Sequence, residues 1–200
     1  MKSATQYSSI KYILILLSVL FVQCAATRTS ELYQTYDKVN YVYWSESRKL
    51  TWEDFQGKQN DSQNNNISQI RLYNPATIER ATYLSNPELT VICIFDKKNS
   101  WVKKSAANDS LLLYHQVMFD IYELYNRKLK KQFNETEFSL NYYIEEFKSL
   151  TGKNNSDLEQ QIEQYKIDSD HGNNYAGIKI WEMKVNRELD ELKSFKTNDY

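Results

Sequence analysis

The sequence predicts an α+β domain, with a small N-terminal β-sheet packed against one long helix and further helices toward the C-terminus. Two observations carry this expectation. The run "ELTVICIF", Glu88 to Phe95, is β-branched and bounded by Asn86-Pro87 and by Asp96-Lys97-Lys98, as a buried strand is. From Asn108 onward the apolar residues recur at spacings of three and four, the period of a helix face. A small sheet followed by several helices, with no internal repeat, is an α+β pattern.

The first stretch stands apart from the folded domain. "MKSATQYSSIKYILILLSVLFVQCAA" has a lysine-bearing start, an apolar run from about Tyr12 to Val22, and then small residues. The run is shorter than the roughly 20 residues a membrane span needs, so residues 1–26 are expected to be a secretory signal and 27–200 a single domain. An uncleaved anchor is the alternative. Cys24 follows directly on the apolar run and is a candidate for lipid acylation, although Gln23 stands where such signals place a small residue. Cleavage near Ala26 is the competing expectation. Either way the chain is expected to be exported, to a periplasm, an outer membrane or the exterior, with membrane association through Cys24 or an uncleaved signal.

The remaining elements follow in order. "YVYWSESRKLTWEDFQG" reads as extended segments ending in a turn at Gly57, and the asparagine-rich stretch near 58–67 as a mobile loop. "QIRLYNPATIERATYL" predicts a strand, a turn, then a strand or short helix, and Glu88 to Phe95 one further strand. Asn108, Asp109 or Ser110 caps the first long helix, whose apolar face is Leu111, Tyr114, Met118, Ile121 and Tyr125. Arg127, Lys128, Lys130 and Lys131 suit its C-terminal dipole. A second helix is expected with Asn134 and Glu137 as a capping box and Gly152 as its stop. "SDLEQQIEQY" predicts a shorter helix and "NYAGIKIWEMKVNRELDELKSF" a last amphipathic one.

Charge and cysteine usage narrow the chemistry. The formal net charge is −1 and becomes more negative once Lys2 and Lys11 are removed with the signal, which argues against a general nucleic-acid partner. Without residues 1–26 only Cys93 remains, so no internal disulfide can form. Its apolar neighbours make it a buried hydrophobe rather than a nucleophile. There is no Cys-x-x-Cys, no glycine-rich phosphate loop and no Gly-x-Ser-x-Gly elbow.

Four patches carry a more specific signal: "LTWEDFQG" (Leu50 to Gly57), "FDKKNSWV" (Phe95 to Val102), "YHQVMFDIYELYNRKL" (Tyr114 to Leu129) and "YKIDSDHGNNYAGIKIW" (Tyr165 to Trp181). Their order and wording resemble a bacterial family of unknown function described as predicted secreted zinc-dependent proteases. That family carries Leu-Thr-Trp-x-Asp-Phe-x-Gly, Ser-Trp-Val, a helix reading His-Glu-Gln-x-His-Phe-Asp-Ile, and a late Tyr-x-x-x-Thr-x-His-Gly. The resemblance runs from about Leu50 to Leu192 and implies a zincin-like long helix over Ser110 to Lys131.

The ligand positions depart from the family. With Gln116, Phe119, Asp120 and Ile121 aligned, Tyr114 stands at the first zinc histidine, His115 at the glutamate and Met118 at the second histidine. Ser169, Asp170, His171 and Gly172 are kept, with Lys166 where the family usually has aspartate. Zinc hydrolysis uses three protein ligands, an open position for water and a base. A phenol stays protonated near neutral pH and a thioether prefers softer metals. The resemblance therefore implies a metalloprotease-like scaffold without catalytic zinc, binding a peptide or envelope component in the old cleft.

Two other readings remain open. His115 and His171, the only histidines, with Asp120, Asp168 or Asp170, could form a rebuilt zinc site for a peptidase. Alternatively, the helices of an envelope lipoprotein could serve as an assembly surface. Beside these stands the plainest reading, in which Tyr114 and Met118 are core side chains, His115 and His171 are structural, and Trp52, Phe55, Trp101 and Trp181 anchor the core.

Overall fold

A computed structural model describes residues 32–59 and 66–197. The expected signal, Cys24 and most of the asparagine-rich loop lie outside the described residues. Among the described residues, seven short strands precede three long helices: β1 (Tyr41–Tyr43), β2 (Ser68–Gln69), β3 (Leu72–Tyr73), β4 (Ala76–Glu79), β5 (Glu88–Val91), β6 (Ile94–Asp96), β7 (Trp101–Val102), α1 (Asp109–Glu135), α2 (Tyr143–Asp168) and α3 (Tyr175–Glu191). The fold is α+β, and the strands pair antiparallel. One sheet has the order β1-β6-β3, while β2-β7 and β4-β5 are two-stranded ribbons.

The expected single strand Glu88 to Phe95 is two strands. β5 pairs with β4 and β6 lies between β1 and β3. Both pairings keep one register, Leu72 opposite Phe95 and Ala76 opposite Val91, so 72–79 and 88–96 form one hairpin. Its ladder lapses at Asn74-Pro75, because proline has no N–H to donate. The Pro75 carbonyl still accepts from Ile92 N at 3.1 Å, and the Cys93 carbonyl turns the other way to accept from Trp44 N at 2.9 Å.

Helix α1 is the axis of the core, with the sheet on one side and α2 and α3 on the other. Asn108 caps it, its side chain accepting from Leu111 N at 2.9 Å. Val117, Phe119 and Ile121 are wholly buried, and the Phe119 ring meets Phe95 of β6 at 6.3 Å.

Two expected boundaries move. Asn134 lies inside the last turn of α1 rather than capping a new helix, because buried Phe133 packs against Phe138 and Phe147. The next helix begins at Tyr143, where Glu146 accepts from Ser139 N at 2.8 Å. Gly152 does not stop it; α2 runs through to Asp168, and "SDLEQQIEQY" is its second half. A glycine inside a helix costs about 1 kcal/mol. Burying Phe147, Leu158, Ile162 and Tyr165 along the same face returns about 1.5–3 kcal/mol each, so packing wins.

Candidate functional site

The first half of α1 forms the floor of a cleft of about 740 Å³. One wall is the segment 66–72, which carries β2 and the start of β3; the other is Ile162, Glu163 and Lys166 of α2 with His171 and Asn173 beyond it. Tyr114, His115, Met118 and His171, separated by up to 57 positions, all line this cleft. The fold thus brings together the two motif segments that the sequence singles out.

The turn after α2 explains how. Asp170, His171 and Gly172 all have positive φ, at 46°, 51° and 98°, a conformation costly for side chains other than glycine. Ser169 holds it in place: its hydroxyl donates to the Tyr165 carbonyl at 2.6 Å. Its own carbonyl accepts from Gly172 N at 3.0 Å and Asn174 N at 2.9 Å. Gly172 is needed for close approach as well as for its φ, since a Cβ there would lie 3.3 Å from Leu111 and Tyr114 of α1. His171 itself is exposed at the rim.

Tyr114 packs against α2. Its ring stacks on Tyr165 of α2 with centroids 5.2 Å apart and planes 23° apart, and the Tyr165 hydroxyl donates to the Tyr114 carbonyl at 3.0 Å. Burial pushes the Tyr114 phenol up to about 12, so it holds its proton at neutral pH. Met118 is buried beside it.

His115 is 3% exposed and ringed by aromatics, with centroid separations of 5.2 Å to Tyr114, 5.4 Å to Phe55 and 6.4 Å to Trp52. Burial holds its imidazole neutral and lowers its pKa to about 3. Nε2 lies 3.0 Å from Ser68 Oγ, while buried Nδ1 has no hydrogen-bond partner among the described residues. The tautomer that leaves no N–H unpaired carries its proton on Nε2 and donates it to Ser68. In that state the imidazole donates to Ser68 rather than taking its proton.

The carboxylates considered for a rebuilt metal site face elsewhere. Asp120 accepts from Trp44 Nε1 at 2.7 Å and from Gln116 Nε2 at 2.8 Å, clamping the 44–50 segment to α1. Asp168 accepts from Trp181 Nε1 at 2.9 Å and Gln164 Nε2 at 2.8 Å. Neither these nor Asp170 line the cleft. Among the described residues no group of three or more His, Cys, Asp or Glu is placed to hold a metal ion. A protonated buried phenol, an imidazole committed to Ser68 and a thioether do not fit zinc.

Of the aromatic anchors, Phe55, Trp101 and Trp181 are buried and Trp52 is half-buried. Cys93 is buried; its thiol points at the Phe119 carbonyl 3.9 Å away, and burial pushes its pKa well above the ordinary value. Ser68, Arg71 and Glu163 are cleft residues that sequence reading did not single out. Ser68 lies 47 positions from His115, and no local pattern announces a contact at that range. Comparison of the chain with protein-family models, with curated proteins and with solved structures finds no match.

Proposed function

We propose that this chain is an exported, metalloprotease-like domain whose cleft binds an extended peptide of the cell envelope without hydrolysing it. The observation that carries this reading is the makeup of the cleft wall. It is lined by seven consecutive residues, Asn66 to Leu72. These seven residues follow the chain along one side of the cleft, and Ser68, Gln69 and Leu72 among them are strand, which puts short stretches of strand edge in the wall. Among the described residues β2 has β7 as its one strand neighbour and β3 has β6. An edge of this kind takes an added strand through main-chain hydrogen bonds, and Met118, Tyr122 and Ile162 supply apolar contacts for its side chains. The aromatic packing of Tyr114 supports binding over zinc chemistry.

Two measurements test this. The chain lacking residues 1–26, dialysed against trace zinc, is expected to retain essentially no metal by elemental mass spectrometry while giving a folded circular-dichroism spectrum. About one zinc per chain would overturn the non-hydrolytic reading and direct attention to His115 and His171. A peptide selected from a random octapeptide library is expected to slow amide hydrogen exchange at 66–72; tight binding without protection there would remove the cleft from the argument.

A further inference from the structure

A second groove, of about 320 Å³, lies on the opposite edge of the three-stranded sheet, along β1. Its lining includes Lys38, Arg48 and Lys97 with the hydroxyl-bearing Tyr41, Ser45 and Ser47, and no acidic residue among those described. In a chain whose net charge is −1, the described lining of this groove carries three cations and no carboxylate. The nearby acids have partners of their own. Glu46, between the two serines, pairs with buried Arg127 at 3.3 Å and with Lys196 at 3.6 Å. Asp37 is held by the Val39 and Asn40 amides at 2.9 Å, and Asp96 by the Lys98 and Asn99 amides at 3.0 Å. Among the described residues only Asp54 shares a groove cation, Arg48, at 2.6 Å.

The groove also sits where the chain enters the fold. Tyr33 packs on Tyr43 at 5.8 Å and Tyr36 on Tyr41 at 5.2 Å, while the Tyr43 hydroxyl donates to the Tyr36 carbonyl at 2.5 Å. These contacts fix the 33–40 segment against the edge that carries the groove. Val39, beside Lys38, is 78% exposed. Leu32 is eight residues after Cys24 in sequence, and eight residues reach at most about 30 Å. An anchor at Cys24 would therefore keep this edge within about 30 Å of the membrane.

We infer that the Lys38–Arg48–Lys97 groove seats the phosphate headgroup of an anionic lipid in the membrane to which the chain is attached. One lipid chain or a short apolar segment gives weak, reversible attachment, and a basic patch is the second signal that stabilises it. The placement rests on the export reading of residues 1–26. The groove's own chemistry does not.

The test uses the full chain and vesicles of phosphatidylcholine alone or with 30 mol% phosphatidylglycerol. The apolar N-terminus partitions into both, so the ratio of the two partition coefficients reports the groove. The ratio is expected to exceed ten at low salt and to fall toward one as salt screens the charges. Lys38→Gln with Lys97→Gln lowers it about thirtyfold or to unity, at roughly fivefold per lysine. Lys148→Gln with Lys193→Gln, the same charge change at two exposed sites on the helical side, leaves it unchanged. Equal partition into both vesicles, or equal loss in the two double variants, overturns the proposal. So does inorganic phosphate binding in solution without vesicle preference. Intact-mass analysis of the envelope-derived chain reads processing at Cys24 or Ala26 separately, so failure of the export reading is distinguishable from failure of the groove.

Discussion

Replacing His115 by leucine tests the central electrostatic feature of the cleft floor, an imidazole buried in its neutral form. The unfolded chain titrates this histidine near 6.5, the folded chain at about 3. Because the folded pKa is depressed, the unfolded state binds a proton that the folded state refuses. Stability is therefore full above pH 6.5 and is lost as pH falls toward 3. Between pH 7.5 and 5.0 the loss amounts to about 2 kcal/mol, a large part of the roughly 5–15 kcal/mol typical of a domain. Asp120 and Glu123 act in the opposite direction, because burial raises both carboxyls and the stability they contribute is lost as pH rises. Both remain in the variant, as does His171, so the difference between proteins isolates His115. Urea unfolding followed by circular dichroism at pH 7.5, 6.5, 5.5 and 5.0 measures it. Wild type is expected to lose about 2 kcal/mol more than His115→Leu over that range. Parallel pH profiles would mean the imidazole is solvated or charged in solution, and the description of the cleft floor would be wrong.

Further outcomes follow from local packing. Asn126 is wholly buried on α1 and neither side-chain polar atom has a partner among the described residues; Asn126→Leu is expected to raise stability by about 1–3 kcal/mol in the same urea assay, and a loss would reveal a buried water or partner. Gly177 and Gly152 are both helical but should respond with opposite signs to alanine. A Cβ on Gly177 would lie 2.3 Å from the Asp168 carbonyl, whereas nothing described stands within 4 Å of one on Gly152. Gly177→Ala is expected to destabilise by several kcal/mol through displacement of backbone, and Gly152→Ala to stabilise by about 1 kcal/mol. The same sign for both would contradict the packing of α3 on the end of α2.

The sequence marks elements well where a residue acts on its neighbours and poorly where distant contacts decide. Asn108 capping α1 and Asn174 capping α3 are local chemistry, and each side chain accepts from the amide three residues on. Gly152 and Asn134 mislead because a glycine and a cap residue are weak local preferences that Phe133, Phe147 and Leu158 override by burial. The break at Ile92 and Cys93 is invisible within "ELTVICIF"; its cause is Pro75, on the facing strand. The cleft floor can be read from the helix register, but its wall cannot, since segment 66–72 follows a polar stretch with no periodicity.

The residues of the four sequence patches have a common structural role in this chain. Gln116 accepts from Leu50 N at 2.8 Å and donates to Asp120, tying the "LTWEDFQG" segment to α1. A Cβ on Gly57 would lie 2.7 Å from the Lys98 and Ser100 carbonyl oxygens, so glycine is what lets these segments meet, and its N–H donates to the Ser100 carbonyl. The Ser100 hydroxyl in turn accepts from Arg71 N at 2.9 Å, fixing the cleft wall. Ser169 ties the late turn to the end of α2, and Gly172 lets it meet α1. None of these bonds needs a metal. On the proposed reading, an ion joining α1 to the late segment would be a crosslink whose loss had to be made good. The Tyr114–Tyr165 stack and the Gly172 contact join the same two elements. On that reading, framework and ligand set are physically separable, because the hydrogen bonds of Gln116, Gly57, Ser100 and Ser169 are made by residues other than those at the ligand positions.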